Sequence, residues 1–288
     1  MTIIKSQPTY KRQRFLLDFV KQLSTDATTT DLQKLIFLHT TSGYSSYYDF
    51  IPYKYGPYSF QLAEDITILR KNGFLVRKDA HIYAHDSQVN ENIVNIDIKR
   101  GDSLIKKVYR NYPYYAINSE IVDRLFSSPE LEEIKNGKNK LKQTTQMLFT
   151  IGYEGKTIES FINQLIKNDI RVLCDVRKNP ISRKFGFSKN KIQHILNTIG
   201  IEYVHIPELG IESQKRSSLE SISDYKQLFQ EYRLSLSQRK DYLDYVYFLL
   251  SNNVRIALMC YEKDPQMCHR HVIKDYIQLN HNVRSQDL

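Results

Sequence analysis

The chain has 288 residues, 41% of them hydrophobic and 25% charged, a balance that excludes a disordered or fibrous protein and leaves apolar material for two cores. No window approaches the ~20 uninterrupted apolar residues of a membrane helix, and MTIIKSQPTYKRQRF turns basic before the core of a secretory signal can develop, so the sequence predicts a cytoplasmic protein with no membrane partner. Three cysteines, Cys174, Cys260 and Cys268, do not describe a disulfide framework; a formal charge of +9 favours a polyanionic partner, expected to be nucleic acid with DNA first, the alternative being that abundant Lys, Ile and Asn only reflect an AT-rich genome.

Taken in chain order, YKRQRFLLDFVKQL and TTTDLQKLIFLHTTS carry apolar residues at helical spacing, the second with Thr29, Thr30 or Asp31 available as N-cap. YYDFIPYKYGPYSFQL holds Pro52 and Pro57 and reads as a turn-rich aromatic connector. SFQLAEDITILRKNGF is a third helical pattern ending at Gly73, and FLVRKDAHIYAH places two short β-prone runs around Lys78 and Asp79, as a hairpin does. Three helices followed by a two-stranded wing is the order of a winged helix, in which the third helix and the wing meet DNA; Arg70, Lys71, Arg77 and Lys78 are the candidate contacts. KLIFL, YDFIPYKYGPYS and the helix ending in NGFL resemble the winged-helix-like domains of the Panacea and antitoxin-associated kind, over roughly Leu32 to Val76. That resemblance implies protein or nucleic-acid contacts in toxin-antitoxin and phage-defence settings. A helical packing module without DNA contact is the alternative.

SPELEEIKNGKNKLKQTTQ, from Ser128 to Gln146, is polar and reads as a helix end plus linker, dividing a mainly α, winged-helix-like domain over 1–140 from a second domain over 146–288. Beyond it the texture alternates. QMLFTIGY, IRVLCDVR, IEYVHIP and VRIALMC read as buried strands, and TIESFINQLIKND, SKNKIQHILNTIG, the long stretch SDYKQLFQEYRLSLSQRKDYLDYVYFLLSNN and HRHVIKDYIQL as helices. Strands alternating with helices predict a Rossmann-like α/β layer with a parallel sheet.

The chemistry-bearing residues fall at the carboxyl ends of the predicted strands, where open α/β sheets bind ligands: Tyr153 and Glu154, Asp175 and Arg177, His205 and Glu208, Cys260 and Glu262. TIGYEG places glycines around Tyr153 and Glu154, with Thr157 available to cap the next helix, but matches neither a dinucleotide nor a P-loop motif. Asp175 and Arg177 are opposite charges two apart, able to grip a substrate or to pair with each other. In the loop after them Arg183, Lys184 and Lys189 interleave with Phe185 and Phe187, a pattern suited to phosphates and stacked bases; the alternative is a solvated loop with its phenylalanines in the core.

MCYEKDPQMCHRHVI, Met259 to Ile273, admits four readings, the plainest being that Cys260 and Cys268 are small apolar fillers and His269 caps or packs. Cys268 follows Pro265 at the predicted start of the last helix, where the dipole favours a thiolate, with His269 and Arg270 adding positive charge or proton transfer. The same place could be an anion pocket without a covalent step. Zinc is disfavoured, because seven residues separate the cysteines and Cys268 and His269 are adjacent, which is no standard structural-zinc spacing; no other cofactor is evident.

TIGYEGKTIESFINQL, DVRKNPISRKFGFSKNKIQHIL, YVHIPELG and LMCYEKDPQMCHRHVIKDYI are identified as the landmarks, in order, of domain-of-unknown-function family 488, over most of Leu148 to Ile277. The resemblance implies a Rossmann-like fold and an active site at Tyr153, Glu154, Asp175, Arg177, Cys260, Glu262, Cys268, His269 and Arg270, without a reaction. The expected protein recruits DNA through its first domain and acts on nucleic acid or a nucleotide with its second, in defence, DNA modification or repair. Arg177 and Arg270 are expected to bind phosphate, Asp175 or Glu154 to serve as general acid or base, and Cys268 or Glu262 to assist, in glycosidic cleavage or group transfer. The alternatives are a non-enzymatic DNA-binding regulator sensing a small anion, and a metal-dependent hydrolase.

Overall fold

The computed structural model describes residues 7–23, 25–45, 47–85, 97, 99–216 and 219–288. They belong to two compact units, Met1–Lys140 and Leu141–Leu288.

The first unit runs α1 (Lys11–Lys21), β1 (Ala27–Thr28), α2 (Thr29–Thr41), β2 (Ile51–Tyr53), β3 (Gly56–Tyr58), α3 (Phe60–Lys71), β4 (Leu75–Lys78), β5 (His81–Ala84), α4 (Gly101–Asn111), α5 (Val122–Leu125) and α6 (Glu130–Leu141). The three expected helices and the hairpin after them are present, with Asp79 at a positive φ of 53° in the β4–β5 turn. Five elements were not expected: the helices α4 and α5 and the short strands β1, β2 and β3. β1 adds to β5 and completes an antiparallel sheet of order β1-β5-β4. The aromatic connector is itself a hairpin, β2 against β3, in which Pro52 faces Pro57 and Gly56 supplies a φ of +91°. Leu16, Phe19, Leu32, Ile36, Leu62, Leu69, Ile82 and Val108 fill one core.

The cap of α2 differs from expectation. Thr28, not Thr29, Thr30 or Asp31, is the N-cap: its hydroxyl accepts from the Asp31 amide at 3.1 Å, and Asp31, at the third helical position, accepts from the Thr28 amide at 2.9 Å. This reciprocal box satisfies two amides that the helix cannot. Thr28→Ala is expected to cost about 1 kcal/mol in a urea titration, and an unchanged midpoint would show that the box contributes nothing. The segment Ser128–Gln146, expected as a helix end plus linker, holds a whole helix, α6, over Glu130–Leu141 before the connection to the second unit. Glu130, Glu132 and Glu133 lie in its first turn and Lys138 and Lys140 in its last, complementing the helix dipole where apolar periodicity is weak.

The second unit contains β6 (Met147–Gly152), α7 (Ile158–Lys167), β7 (Val172–Asp175), α8 (Lys189–Asn197), β8 (Glu202–His205), α9 (Ile222–Ser235), α10 (Lys240–Asn253), β9 (Arg255–Cys260), α11 (Arg270–His281) and β10 (Ser285–Asp287). Its five strands are all parallel, in the order β10-β6-β9-β7-β8. Leu148, Val172, Cys174, Ile256, Leu258 and Cys260 share a core with Leu243 and Val246 of α10 and Val272 and Ile273 of α11. The alternate residues Phe149, Ile151, Leu173, Ala257 and Met259 are equally buried, so both faces of the sheet are covered. The connection from β6 leads to β7 on one side, and that from β9 leads to β10 on the other. This reversal puts the carboxyl ends of β6, β9 and β7 at the switch point of the sheet.

Candidate functional site

At the end of β6 the chain must pass close to the loop after β9. A Cβ on Gly152 would lie 1.8 Å from the Glu262 carbonyl oxygen, so no other residue fits there without moving that loop. The loop is held on several sides. The Glu154 amide donates to the Tyr261 carbonyl at 2.9 Å, and the Lys263 amide donates to the Glu154 carboxylate at 2.8 Å. From the first turn of α11, Arg270 donates to the carbonyls of Glu262 (2.6 Å) and Lys263 (3.1 Å) and to the Thr150 hydroxyl (3.2 Å). Arg270 is 1% exposed, and its guanidinium faces protein acceptors. The phosphate-binding part expected of it gives way to clamping the loop that presents Glu262. Thr150, a polar residue in an apolar strand, is the signal that could have indicated this.

Asp175 and Arg177 meet each other. Asp175 Oδ1 accepts from Arg177 Nε at 2.8 Å and from the Arg177 amide at 3.1 Å, while Oδ2 accepts from Arg177 Nη2 at 2.6 Å and from the Tyr203 hydroxyl at 2.6 Å. Arg177 Nη1 donates to the Tyr153 hydroxyl at 3.0 Å. Burial alone would lower the arginine's pKa, but the hydrogen bond and charge of Asp175 outweigh it and hold the pKa above its ordinary value. Burial, then the Asp175 charge, push the Tyr203 phenol up. Tyr203, which sequence reasoning passed over, is a full partner in this network. Of the two sequence readings, mutual pairing describes the geometry, and a free substrate grip does not.

The segment singled out in the sequence forms a second cluster, at the ends of β9 and the start of α11. Cys260, Cys268 and His269 are all buried. His269 Nδ1 lies 3.8 Å from Cys260 Sγ and 3.9 Å from Cys268 Sγ, and Nε2 lies 2.9 Å from the Val176 carbonyl oxygen. A carbonyl can only accept, so Nε2 carries hydrogen, and in the neutral ring Nδ1 turns its lone pair to the sulfurs. Glu262 is half-buried, with Oε2 3.4 Å from Cys260 Sγ. Contrary to the thiolate expected at this helix start, burial, and next the Cys260 thiol, push Cys268 up to about 12 against the pull of His269. As a bare thiol it is no standing nucleophile.

The groups expected to meet nucleic acid divide between core and surface. Phe187 is fully buried, stacked on Tyr153 at 4.3 Å and edge-on to Phe161 at 5.3 Å, so it belongs to the core and supports the Tyr153 ring; the expectation that it stacks on bases is corrected. Phe185 is half-buried, with Lys191 Nζ over its ring at 5.2 Å. Lys184 donates to the Tyr153 carbonyl at 3.2 Å, and burial draws its pKa down against the pull of Glu154. Arg183 and Lys189 are exposed, the latter 3.2 Å from His205 Nδ1, while His205 Nε2 donates to the Arg177 carbonyl at 3.0 Å. In the first unit Arg70, Lys71, Arg77 and Lys78 are all exposed, at the end of α3 and along β4. The Glu154 carboxylate is exposed as well.

Residues 157–277 match the family model of a domain of unknown function, DUF488. That span contains Asp175, Arg177, Cys260, Glu262, Cys268, His269 and Arg270 and begins after Tyr153 and Glu154. No curated protein and no solved structure matches the chain.

Proposed function

We propose that this chain is a DNA-binding protein whose first unit is a winged helix and whose second unit is a DUF488 domain with a Rossmann-like fold that acts on nucleic acid or a nucleotide. The observation that carries the reading is the exposure of Arg70, Lys71, Arg77 and Lys78 on consecutive elements, α3 and β4, of a unit ordered helix, strand, helix, hairpin, helix and hairpin before its last three helices. Arg77 Nε donates to the Asp79 carbonyl at 2.7 Å, which braces the hairpin turn beside these charges. A chain of formal charge +9 adds a long-range field that draws phosphates in. The likeness of Leu32 to Val76 to Panacea and antitoxin-associated domains supports a setting in defence, DNA modification or repair.

In the second unit, exposed Arg183 and Lys189 and half-buried Lys184 supply phosphate contacts near the carboxyl ends of the strands. Glu154 and Glu262 are the carboxylates placed for acid or base work, because Asp175 is committed to Arg177 and Tyr203. That commitment also favours a second reading, a non-enzymatic DNA-binding regulator sensing a small anion, since a fully paired network holds shape better than it turns over substrate.

Fluorescence anisotropy with a labelled duplex of mixed sequence tests the binding claim. Replacing both Arg77 and Lys78 by alanine is expected to weaken binding about tenfold and to reduce the slope of log affinity against log salt by about 1–2. No affinity for any duplex at low salt would remove the DNA reading for both alternatives. A nucleotide-processing assay on Glu154→Gln and Glu262→Gln then separates enzyme from regulator.

A further inference from the structure

We propose that the second unit binds one divalent transition cation of the zinc class on Cys260 Sγ, Cys268 Sγ and His269 Nδ1, with the Glu262 carboxylate beside the position left for a fourth ligand. The proposal goes beyond the nucleic-acid reading and stands or falls separately from it.

Seven residues between the cysteines argue against zinc only while the chain is read as a line. In the fold, β9 delivers Cys260 at its last residue, the following loop turns back over Gly152, and Cys268 and His269 return at the mouth of α11. The three ligand atoms all lie within 4.8 Å of one another. Zinc bonds of about 2.3 Å to sulfur and about 2.0–2.1 Å to nitrogen, at a tetrahedral angle, place sulfur and nitrogen about 3.6 Å apart. The observed separations of 3.8 and 3.9 Å are close to that edge, so a cation enters with a small inward movement of side chains.

The imidazole is oriented for the task. Its Nε2 hydrogen is held by the Val176 carbonyl, as metal-bound histidines are held by an outer acceptor, and this fixes the tautomer that offers Nδ1. Nδ1 lies 3.8 and 3.9 Å from the two sulfurs, while the Cys260 thiol donates to Glu262 Oε2 at 3.4 Å. Two thiolates and an imidazole form a soft donor set that selects zinc-class ions over magnesium or calcium. Binding exchanges protons for metal: the cation and two thiols give a bis-thiolate complex and two protons released to solvent, while His269 contributes only its lone pair. Three protein ligands leave a fourth position for water or substrate, and Glu262 is the half-buried group on the Cys260 side of the cluster.

The test uses the full chain. Elemental analysis of protein purified without chelator is expected to give about one zinc per chain. After stripping, cobalt(II) titration is expected to produce tetrahedral d–d bands and sulfur-to-cobalt charge transfer, saturating at one equivalent. Cys268→Ser and His269→Gln are expected to weaken cobalt binding at least tenfold, whereas Cys174→Ala, which removes the one cysteine outside the cluster, leaves it unchanged. Wild-type protein that is folded yet shows no charge-transfer band with excess cobalt overturns the proposal, whatever the variants do. Retention of the full wild-type spectrum and affinity in both Cys268→Ser and His269→Gln overturns it too.

Discussion

Asp175→Asn is expected to destabilise the second unit by about 3–5 kcal/mol, as removal of one partner from a buried ion pair does. All four atoms that approach the Asp175 carboxylate are donors: Nε, Nη2 and the amide of Arg177, and the Tyr203 hydroxyl. Asparagine keeps the shape but replaces one oxygen with an amide nitrogen. In one flip that nitrogen faces Arg177 Nη2 and Tyr203; in the other it faces Arg177 Nε and its backbone amide. Either way a guanidinium at 6% exposure loses its counter-charge. Adding Arg177→Leu is expected to recover part of the loss, because the double variant no longer buries an orphan charge, and the shortfall from additivity measures the coupling. Thermal unfolding of the four proteins of the cycle is the measurement. Wild-type stability in Asp175→Asn, together with loss of a nucleotide-processing activity, would return Asp175 to the catalytic part that its place at a strand end suggested.

How much of this was legible in the sequence follows from what each feature depends on. β6, β7 and β9 were visible because strands covered on both faces read as unbroken apolar runs, and α7 because one face of it is apolar and Thr157 caps it. β1, β2, β3 and β10 have only two or three residues each and no period to read; they exist because a neighbour's edge is within reach. β10, with sequence SQD, offers little more than backbone groups to β6. The site was legible as positions and much less as roles. Strand ends indicated where Asp175, Cys260 and Glu262 sit, but the direction of a guanidinium depends on which carbonyls lie nearby. Those around Arg270 are brought by a loop crossing Gly152, a contact between residues more than a hundred apart. Phe187 was misread for a related reason: a basic loop looks the same whether its aromatic faces outward or lies beneath Tyr153.

Lys34→Met is expected to stabilise the first unit by about 2–4 kcal/mol near pH 7, with the gain fading as the pH rises towards 10. Lys34 lies on the inner face of α2 at 1% exposure, its Nζ donating to the Pro57 carbonyl at 3.2 Å. Burial lowers its pKa from 10.5 to about 7, against a smaller upward pull from Asp31. The sign of the pH dependence follows from proton counts. Between about 7 and 10.5 the unfolded chain holds a proton that the folded chain has released, so stability of the wild type rises with pH across that window. Below about 7 both states are charged and the full cost of the buried ammonium is present; above 10.5 neither is charged and the cost has gone. Methionine has similar length and no charge, so the variant lacks this pH-dependent increment. Urea midpoints read from the methyl resonances of Leu35 and Ile36, both buried on the same helix, would report the first unit alone. Parallel stability curves for wild type and variant from pH 6 to 9.5 would show that Lys34 does not titrate within that range. A destabilised variant would show that the bond to Pro57, which ties α2 to β3, outweighs the cost of burying the charge.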